Sequence, residues 1–277
     1  MSQRRPQPDH AENPQASEIH QRVSAQFGAA AAAYTTSLTH SDTITLSKVV
    51  ALAEPKPDDV ALDIATGAGH TALALAPHVK AVTAYDLTEP MLAETRRNAA
   101  ARGLTNVTTR QGAAESLPFP DASFDIVMVR QAPHHYADVP AAVNEMARVV
   151  KPGGRVIIID SASPDDDSLD REWNHIEKLR DPSHVRNYRP SEWHAFVTDA
   201  GLRIRFEEFS FATEKGGPMN FAAWLQRMNP PAASIAEVTR LFRGASPALA
   251  AALRIQTIDG ALFFCVPQIT IVAIKGS

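Results

Sequence analysis

The chain has 277 residues, 44% of them apolar, and a formal net charge of −4. That supplies one α/β domain with a full core and excludes a disordered chain, while the near-neutral charge offers no basic face for a nucleic-acid backbone. The single cysteine, Cys265, excludes an intrachain disulfide and any cysteine-based zinc or iron–sulfur site.

Residues 1–20 are polar and Pro-containing, and read as a disordered tail. No apolar run follows Arg4-Arg5, so the start is not a secretory signal. The alanine run at 29–33 is far short of the roughly 20 residues that span a bilayer. These features predict a cytoplasmic protein without a membrane partner. Helical text begins at Val23, and a second helix over 43–53 is ended by Pro55 and Pro57. The apolar run at 60–65 reads as a buried parallel strand. A helix over 70–77, a strand over 79–86, a helix over 89–101 and strands over 106–110 and 124–130 follow. An amphipathic helix over 139–150 is stopped by Lys151-Pro152-Gly153-Gly154, and a strand covers 155–160. Such alternation predicts βαβ units and a parallel sheet. Residues 164–190 are charged and irregular. A helix over 191–202, a strand over 203–211, helices over 216–252 broken by Pro230, Pro231 and Pro247, and an apolar strand over 267–274 complete the chain. One doubly wound α/β domain with helical additions fits this order.

The chemistry concentrates after the first strand. Gly67 and Gly69 allow a tight turn and close approach of a ligand to bare backbone, and the next helix offers free N–H groups. With Ala72 they also satisfy the dinucleotide fingerprint. Asp86 ends the second strand, about 20 residues on, where a carboxylate accepts from ribose hydroxyls. The plainer reading of Asp86, a cap for helix 89–101, matches the spacing less well. Neither feature separates a nicotinamide cofactor from S-adenosylmethionine. Three others do. Asp63 lies inside the strand end, where a charge needs a partner. Ala113 and Ala114, after the third strand, leave room for a flat ring. Lys151-Pro152-Gly153-Gly154 then precedes the fifth strand.

This ordered set, over 27–202, resembles the class I S-adenosylmethionine-dependent methyltransferases, type 11 branch, and is similar to ubiquinone/menaquinone C-methyltransferases. The resemblance implies a Rossmann-like, doubly wound, mostly parallel seven-stranded sheet with N-terminal lid helices and helical insertions. It implies one domain over 21–277, with a lid at 21–56, a cofactor-binding core at 57–160 and substrate-side insertions at 161–190 and 213–260. It implies S-adenosyl-L-methionine as cofactor, with Asp63 ordering the methionine ammonium and the backbone of Ala65, Gly67 and Gly69 along the methionine and sugar. Asp86 would hold the ribose, Leu87 and Met91 would flank the adenine, and Gly112, Ala113 and Ala114 would meet its edge. Arg130 would sit near the methionine end, and Tyr34, in the lid, would touch the carboxylate or cover the site. Many relatives carry glycine where this chain has Ala65 or Thr66; a methyl at Ala65 is tolerated if its φ is negative.

The acceptor side is less explicit. His134 and His135 follow the fourth strand, at the edge where open α/β sheets bind ligands, and are the candidate catalytic bases; the alternative is a cap for the next helix plus a packed ring. Arg180, His184, Arg186 and Tyr188, with His175 one helical turn before, are candidates for a substrate-facing loop, against a surface ion-pair network. Asp165-Asp166-Asp167 reads as a negative first turn of a helix, so no metal is expected. Trp173, Trp193 and Trp224 read as packing residues. The expected partner is a small-molecule methyl acceptor, a homodimer being left open. An NAD(P)-dependent oxidoreductase on the same sheet, and a non-catalytic binder of the cofactor, are the alternative functions.

Overall fold

The computed structural model describes residues 14–35, 43–212 and 217–276, apart from the side chains of 30 and 32–35. Helices α1 (Pro14–Thr35) and α2 (Thr43–Ala53) precede β1 (Val60–Ile64), α3 (His70–Leu75), β2 (Ala81–Asp86), α4 (Glu89–Ala101), β3 (Val107–Gln111) and β4 (Phe124–Arg130). A 3-10 turn at Pro133–His135 leads to α5 (Val139–Val149), β5 (Val150–Ser161), α6 (Asp167–Arg180), α7 (Pro190–Asp199) and β6 (Leu202–Ala212). The last part holds β7 (Met219–Asn220), α8 (Phe221–Gln226), α9 (Ala232–Arg243), α10 (Pro247–Ala252), β8 (Gln256–Ile258), β9 (Ala261–Phe264) and β10 (Val266–Lys275).

Seven strands form one sheet in the order β3-β2-β1-β4-β5-β10-β6. The first five pair in parallel, and β10 runs antiparallel to both β5 and β6. The parallel strands are apolar on both faces because helices cover both. Leu62, Ile64, Val127, Val129 and Ile158 pack with Val143, Met146, Trp193 and Val197, while Ala61, Ile126, Met128 and Ile157 pack with Val49, Ala53 and Leu75. Neighbours along each strand go to opposite faces, as the pleat requires. Strand order reverses between β1 and β4, which opens a crevice at their carboxyl ends, where doubly wound sheets bind ligands.

Two sequence expectations are corrected. The helix begins at Pro14, so residues 14–20 are not tail. Ile19, Val23, Phe27 and Ala31 recur at helical spacing, and Ile19 and Ala31 are buried. Polar composition around them hides this stripe. The segment read as helices over 216–252 also holds β7, which pairs with β9 in a separate antiparallel sheet completed by β8; strands this short show no readable period. The helix expected at Asp165-Asp166-Asp167 is α6, whose first turn is capped by Asp166 accepting from Ser168 N and Leu169 N. Its inward face joins Trp173 and Ile176 to Trp224, Phe242 and Phe264 in a third cluster. The third cluster stands at the carboxyl side of the sheet and walls a cavity there.

Candidate active site

The loop after β1 is built for backbone approach. Ala65, Gly67 and Gly69 all take positive φ, at 52°, 56° and 86°. A side chain at Gly69 would meet Thr95 Cγ2 at 2.8 Å, and one at Gly112 would meet Tyr85 Oη at 2.0 Å. Ala65 does not meet the condition placed on it, because its φ is left-handed. An alanine there is strained by roughly 1–2 kcal/mol, and such strain clusters at functional loops.

Two carboxylates brace this loop. Asp63 is 2% exposed. Its Oδ2 accepts from Thr66 Oγ1 at 2.6 Å and Ala72 N at 3.0 Å. Burial dominates its titration and pushes the carboxyl up to about 6, although Thr66, Arg130 and Ala72 pull the other way. Asp86 accepts from Gly67 N through Oδ2 at 2.9 Å, and from Thr88 N and Oγ1 through Oδ1, each at 2.9 Å. It therefore ties the strand-2 end to the glycine loop and also supports the start of α4. Burial raises its carboxyl against the hydrogen bonds from Thr88 and Gly67.

One cavity collects the strand ends. Asp63, Ala65, Gly67, Asp86, Leu87, Met91, Gly112, Ala113, Ala114 and Arg130 all line it. Gly69 does not; it turns the chain against Thr95 instead. Arg130 Nε donates to Thr71 Oγ1 at 3.0 Å, and Tyr85 Oη to the Ala113 carbonyl at 3.1 Å. Tyr34 falls in the last turn of α1, and its side chain lies outside the described residues. α1, expected as part of the lid, walls the cavity through His20, Val23 and Phe27, which sequence reasoning did not name. His20 Nε2 stands 3.4 Å from Glu115 Oε2. The stripe through Ile19 was the available signal.

A second cavity, about 740 Å³, adjoins the first and shares Phe27, Arg130, Gln131 and His135 with it. Gln131 turns the chain at positive φ (55°), and its amide donates to Gln268 Oε1 at 3.0 Å. His134, His135, Arg180 and His184 all line this cavity. The ring centroids of His134 and His135 are 4.1 Å apart, those of His134 and His184 5.5 Å. His134 Nδ1 is 2.6 Å from Asp160 Oδ1. Burial alone would lower this imidazole, but the Asp160 carboxylate more than offsets it, so His134 is raised above the ordinary range. His135 Nδ1 is 3.1 Å from the Ser183 carbonyl. Burial, then the neighbouring His134 charge, drives His135 down to about 3. Burial, then the charges of His134 and His135, holds His184 well below the usual imidazole range. Neither His134 nor His135 caps α5; Asp138 does, accepting from Ala141 N. The Arg180 guanidinium lies 4.4 Å over the Trp224 ring and bonds Glu177 at 2.8 Å.

Three other candidates lie away from both cavities. His175 is exposed on the outer face of α6, where its charge acts on Glu237 of α9. Trp173, Ile176, Glu177 and Arg180 take the inner face, and the helical repeat turns His175 away. Arg186 is an ion-pair bridge, 3.1 Å from both Asp170 and Glu192. Tyr188 packs edge-on against Trp193 and Phe196, beside the core.

Comparison with known proteins agrees with this architecture. Residues 62–158 match the family described as "Methyltransferase domain". YcgJ of Bacillus subtilis (strain 168), an uncharacterized methyltransferase, is 41% identical over 188 residues, covering 68% of this chain and 72% of YcgJ. The crystal structure of YcgJ superposes with a TM-score of 0.77 at 36% identity, over 84% of this chain and 98% of that one. Escherichia coli (strain K12) YafE is 44% identical over 167 residues, 60% of this chain and 78% of YafE. A demethylmenaquinone methyltransferase from Thermus thermophilus is 42% identical over 120 residues, 42% of this chain and 54% of that protein. The chain belongs to the S-adenosylmethionine-dependent methyltransferases. It is an enzyme of that class with S-adenosylmethionine as cofactor, which sets aside the nicotinamide and non-catalytic readings. Among the described residues no helix is long and apolar enough to cross a membrane.

Proposed function

We propose that the methyl acceptor is a small molecule bound in the second cavity, with the cofactor in the first. The observation that carries this reading is the junction of the two cavities at Phe27, Arg130, Gln131 and His135. A pocket of this size, walled by Trp224, Met228 and Val266 on one side and by three histidines on the other, suits a compact metabolite better than a polymer. Both cavities are built from one chain, so no second copy is needed. The net charge of −4 speaks against a nucleic-acid acceptor. A cytoplasmic location belongs to the same reading, and the lone Cys265, buried and unpaired, suits a reducing compartment.

The residues at the first cavity fit the cofactor. Asp63 keeps Oδ1 available for an ammonium, since Thr66 and Ala72 both use Oδ2. Asp86 stands at the strand-2 end, where Oδ2, accepting from Gly67 N, keeps a lone pair for a ribose hydroxyl, and Gly112 has no Cβ because Tyr85 Oη occupies its place. Ala113 and Ala114 present backbone rather than bulk to an adenine edge, between Leu87 and Met91. Arg130 stands at the methionine end with Thr71 as its partner. Bound there, S-adenosylmethionine supplies a methyl group on a sulfonium centre, and the protein supplies orientation and a dry channel.

His134 is the proton-exchanging residue in this proposal. Asp160 fixes its Nδ1, and from its neutral form the ring takes up the proton an acceptor loses, the Asp160 carboxylate stabilising the imidazolium that results. His135, neutral at physiological pH, positions the acceptor instead. The reading is tested by incubating the purified enzyme with methyl-labelled S-adenosylmethionine and a fractionated cell lysate. Label is expected in the low-molecular-weight fraction, and Asp160→Asn is expected to slow its appearance. Label confined to protein or nucleic acid would overturn the proposal.

A further inference from the structure

Asp181 closes α6 and is 1% exposed, and His135 is 8% exposed; both line the second cavity. Asp181 Oδ1 accepts from Ser183 N at 2.8 Å and from Ser183 Oγ at 2.6 Å. Its other oxygen, Oδ2, has no hydrogen-bond donor among the described residues and stands 3.9 Å from His135 Nε2. The proton of the His135 ring is located by its surroundings. Nδ1 faces the Ser183 carbonyl, which only accepts, so Nδ1 carries the hydrogen. Ser183 Oγ, 3.3 Å from Nδ1, has already given its hydrogen to Asp181. In the neutral ring, the form that burial favours, Nε2 carries a lone pair. Two acceptors then stand 3.9 Å apart at the cavity wall, a pair that a donor-bearing ligand in the cavity can serve.

The local cations do not supply one. Arg180 bonds Glu177 and lies over Trp224, and His134 is engaged by Asp160. A ligand hydroxyl has one hydrogen and serves one of the two acceptors. An ammonium has three and serves both, and its charge complements the carboxylate. Phe27, edge-on to His135 at 4.8 Å, offers apolar surface beside the pair. We propose that Asp181 Oδ2 and His135 Nε2 form a subsite for a protonated primary amine, so that the acceptor is an amine-bearing molecule with an apolar body. This inference rests on the reading of the second cavity as the acceptor site.

The test uses three probes of one shape, benzylamine, benzyl alcohol and ethylbenzene, titrated into the full-length protein saturated with S-adenosylhomocysteine. Benzylamine is expected to bind about tenfold or more tighter than the other two. On its addition the His135 Nε2 resonance in ¹⁵N-histidine spectra is expected to move. Asp181→Asn keeps an acceptor for Ser183 and is expected to bring benzylamine down to the benzyl alcohol level, with S-adenosylhomocysteine affinity unchanged. Equal binding of the three probes, tighter binding of benzyl alcohol, or no binding of benzylamine by the wild-type protein overturns the amine subsite. If S-adenosylhomocysteine itself fails to bind the wild-type protein, the cofactor reading falls rather than the subsite alone.

Discussion

Replacing Asp63 by Asn separates what this carboxylate costs the fold from what it gives the cofactor site. A carboxyl moved from 3.8 to about 6 by burial carries roughly 3 kcal/mol of preference for its neutral form. Because the folded value lies above the unfolded one, Asp63 contributes stability that is fully present below about pH 4 and lost as pH rises through about 6. At neutral pH the cofactor-free enzyme therefore carries an ionised, buried group. Asn keeps an oxygen for Thr66 Oγ1 and Ala72 N and removes the charge. The expected result is a cofactor-free protein stabilised by roughly 1–3 kcal/mol at pH 8, with the gain shrinking toward zero near pH 4. The same change deletes the charge proposed to face the cofactor ammonium, so S-adenosylhomocysteine affinity should fall about tenfold to a hundredfold. Urea unfolding across pH 4–8 and calorimetric titration with S-adenosylhomocysteine measure the two effects. A variant less stable than wild type at pH 8, or one that binds S-adenosylhomocysteine normally, would refute the reasoning.

Asp86→Ala removes the acceptor for Gly67 N and Thr88 N along with the ribose partner; titration should show a loss of affinity of about tenfold or more, and an unchanged value would remove Asp86 from the ribose site. Ala65→Gly relieves a left-handed alanine at φ 52° and should raise the melting temperature by roughly 2–4 °C; a lower melting temperature would show that the loop is not strained. Gly112→Ala would put a methyl carbon 2.0 Å from Tyr85 Oη, so denaturant unfolding should report a loss of roughly 1–3 kcal/mol. A neutral substitution there would mean that the strand-3 end shifts more easily than its packing suggests.

The convergence of the residues proposed to hold the cofactor was legible in the sequence because they sit at the ends of consecutive strands. Once 60–65, 79–86, 106–110 and 124–130 are read as parallel strands, Asp63, Asp86, Gly112 and Arg130 must converge at one sheet edge, and they line one cavity. The acceptor half was only partly legible. His134 and His135 follow a strand end and were located by the same logic. The segment around 175–188 depends on helix phase and on loop path. His175 and Arg180 are both on α6, yet only Arg180 reaches the cavity. Arg186 and Tyr188, close in sequence to His184, turn to Asp170 and to Trp193 instead. Local text does not say which of several polar neighbours points inward; the packing of Trp173 and Ile176 against the third cluster decides it.

The sequence by itself determined the alternation of apolar strands with amphipathic helices, the positions where the chain turns at Gly67 and Gly69, and the cofactor-side carboxylates, since these follow from local periodicity and from short-range backbone chemistry. Only the tertiary structure decided that α1 walls the cofactor cavity through His20, Val23 and Phe27. It likewise decided the opposite protonation behaviour of adjacent histidines, since the Asp160 carboxylate raises His134 while burial and the His134 charge lower His135. His134 and His135 are neighbours in the chain with the same side chain. Their difference arises because Asp160 touches one ring at 2.6 Å while Asp181 stands 3.9 Å from the other. A distance of that kind is set by how β5 and the end of α6 pack together, which is long-range information that no window of the sequence contains.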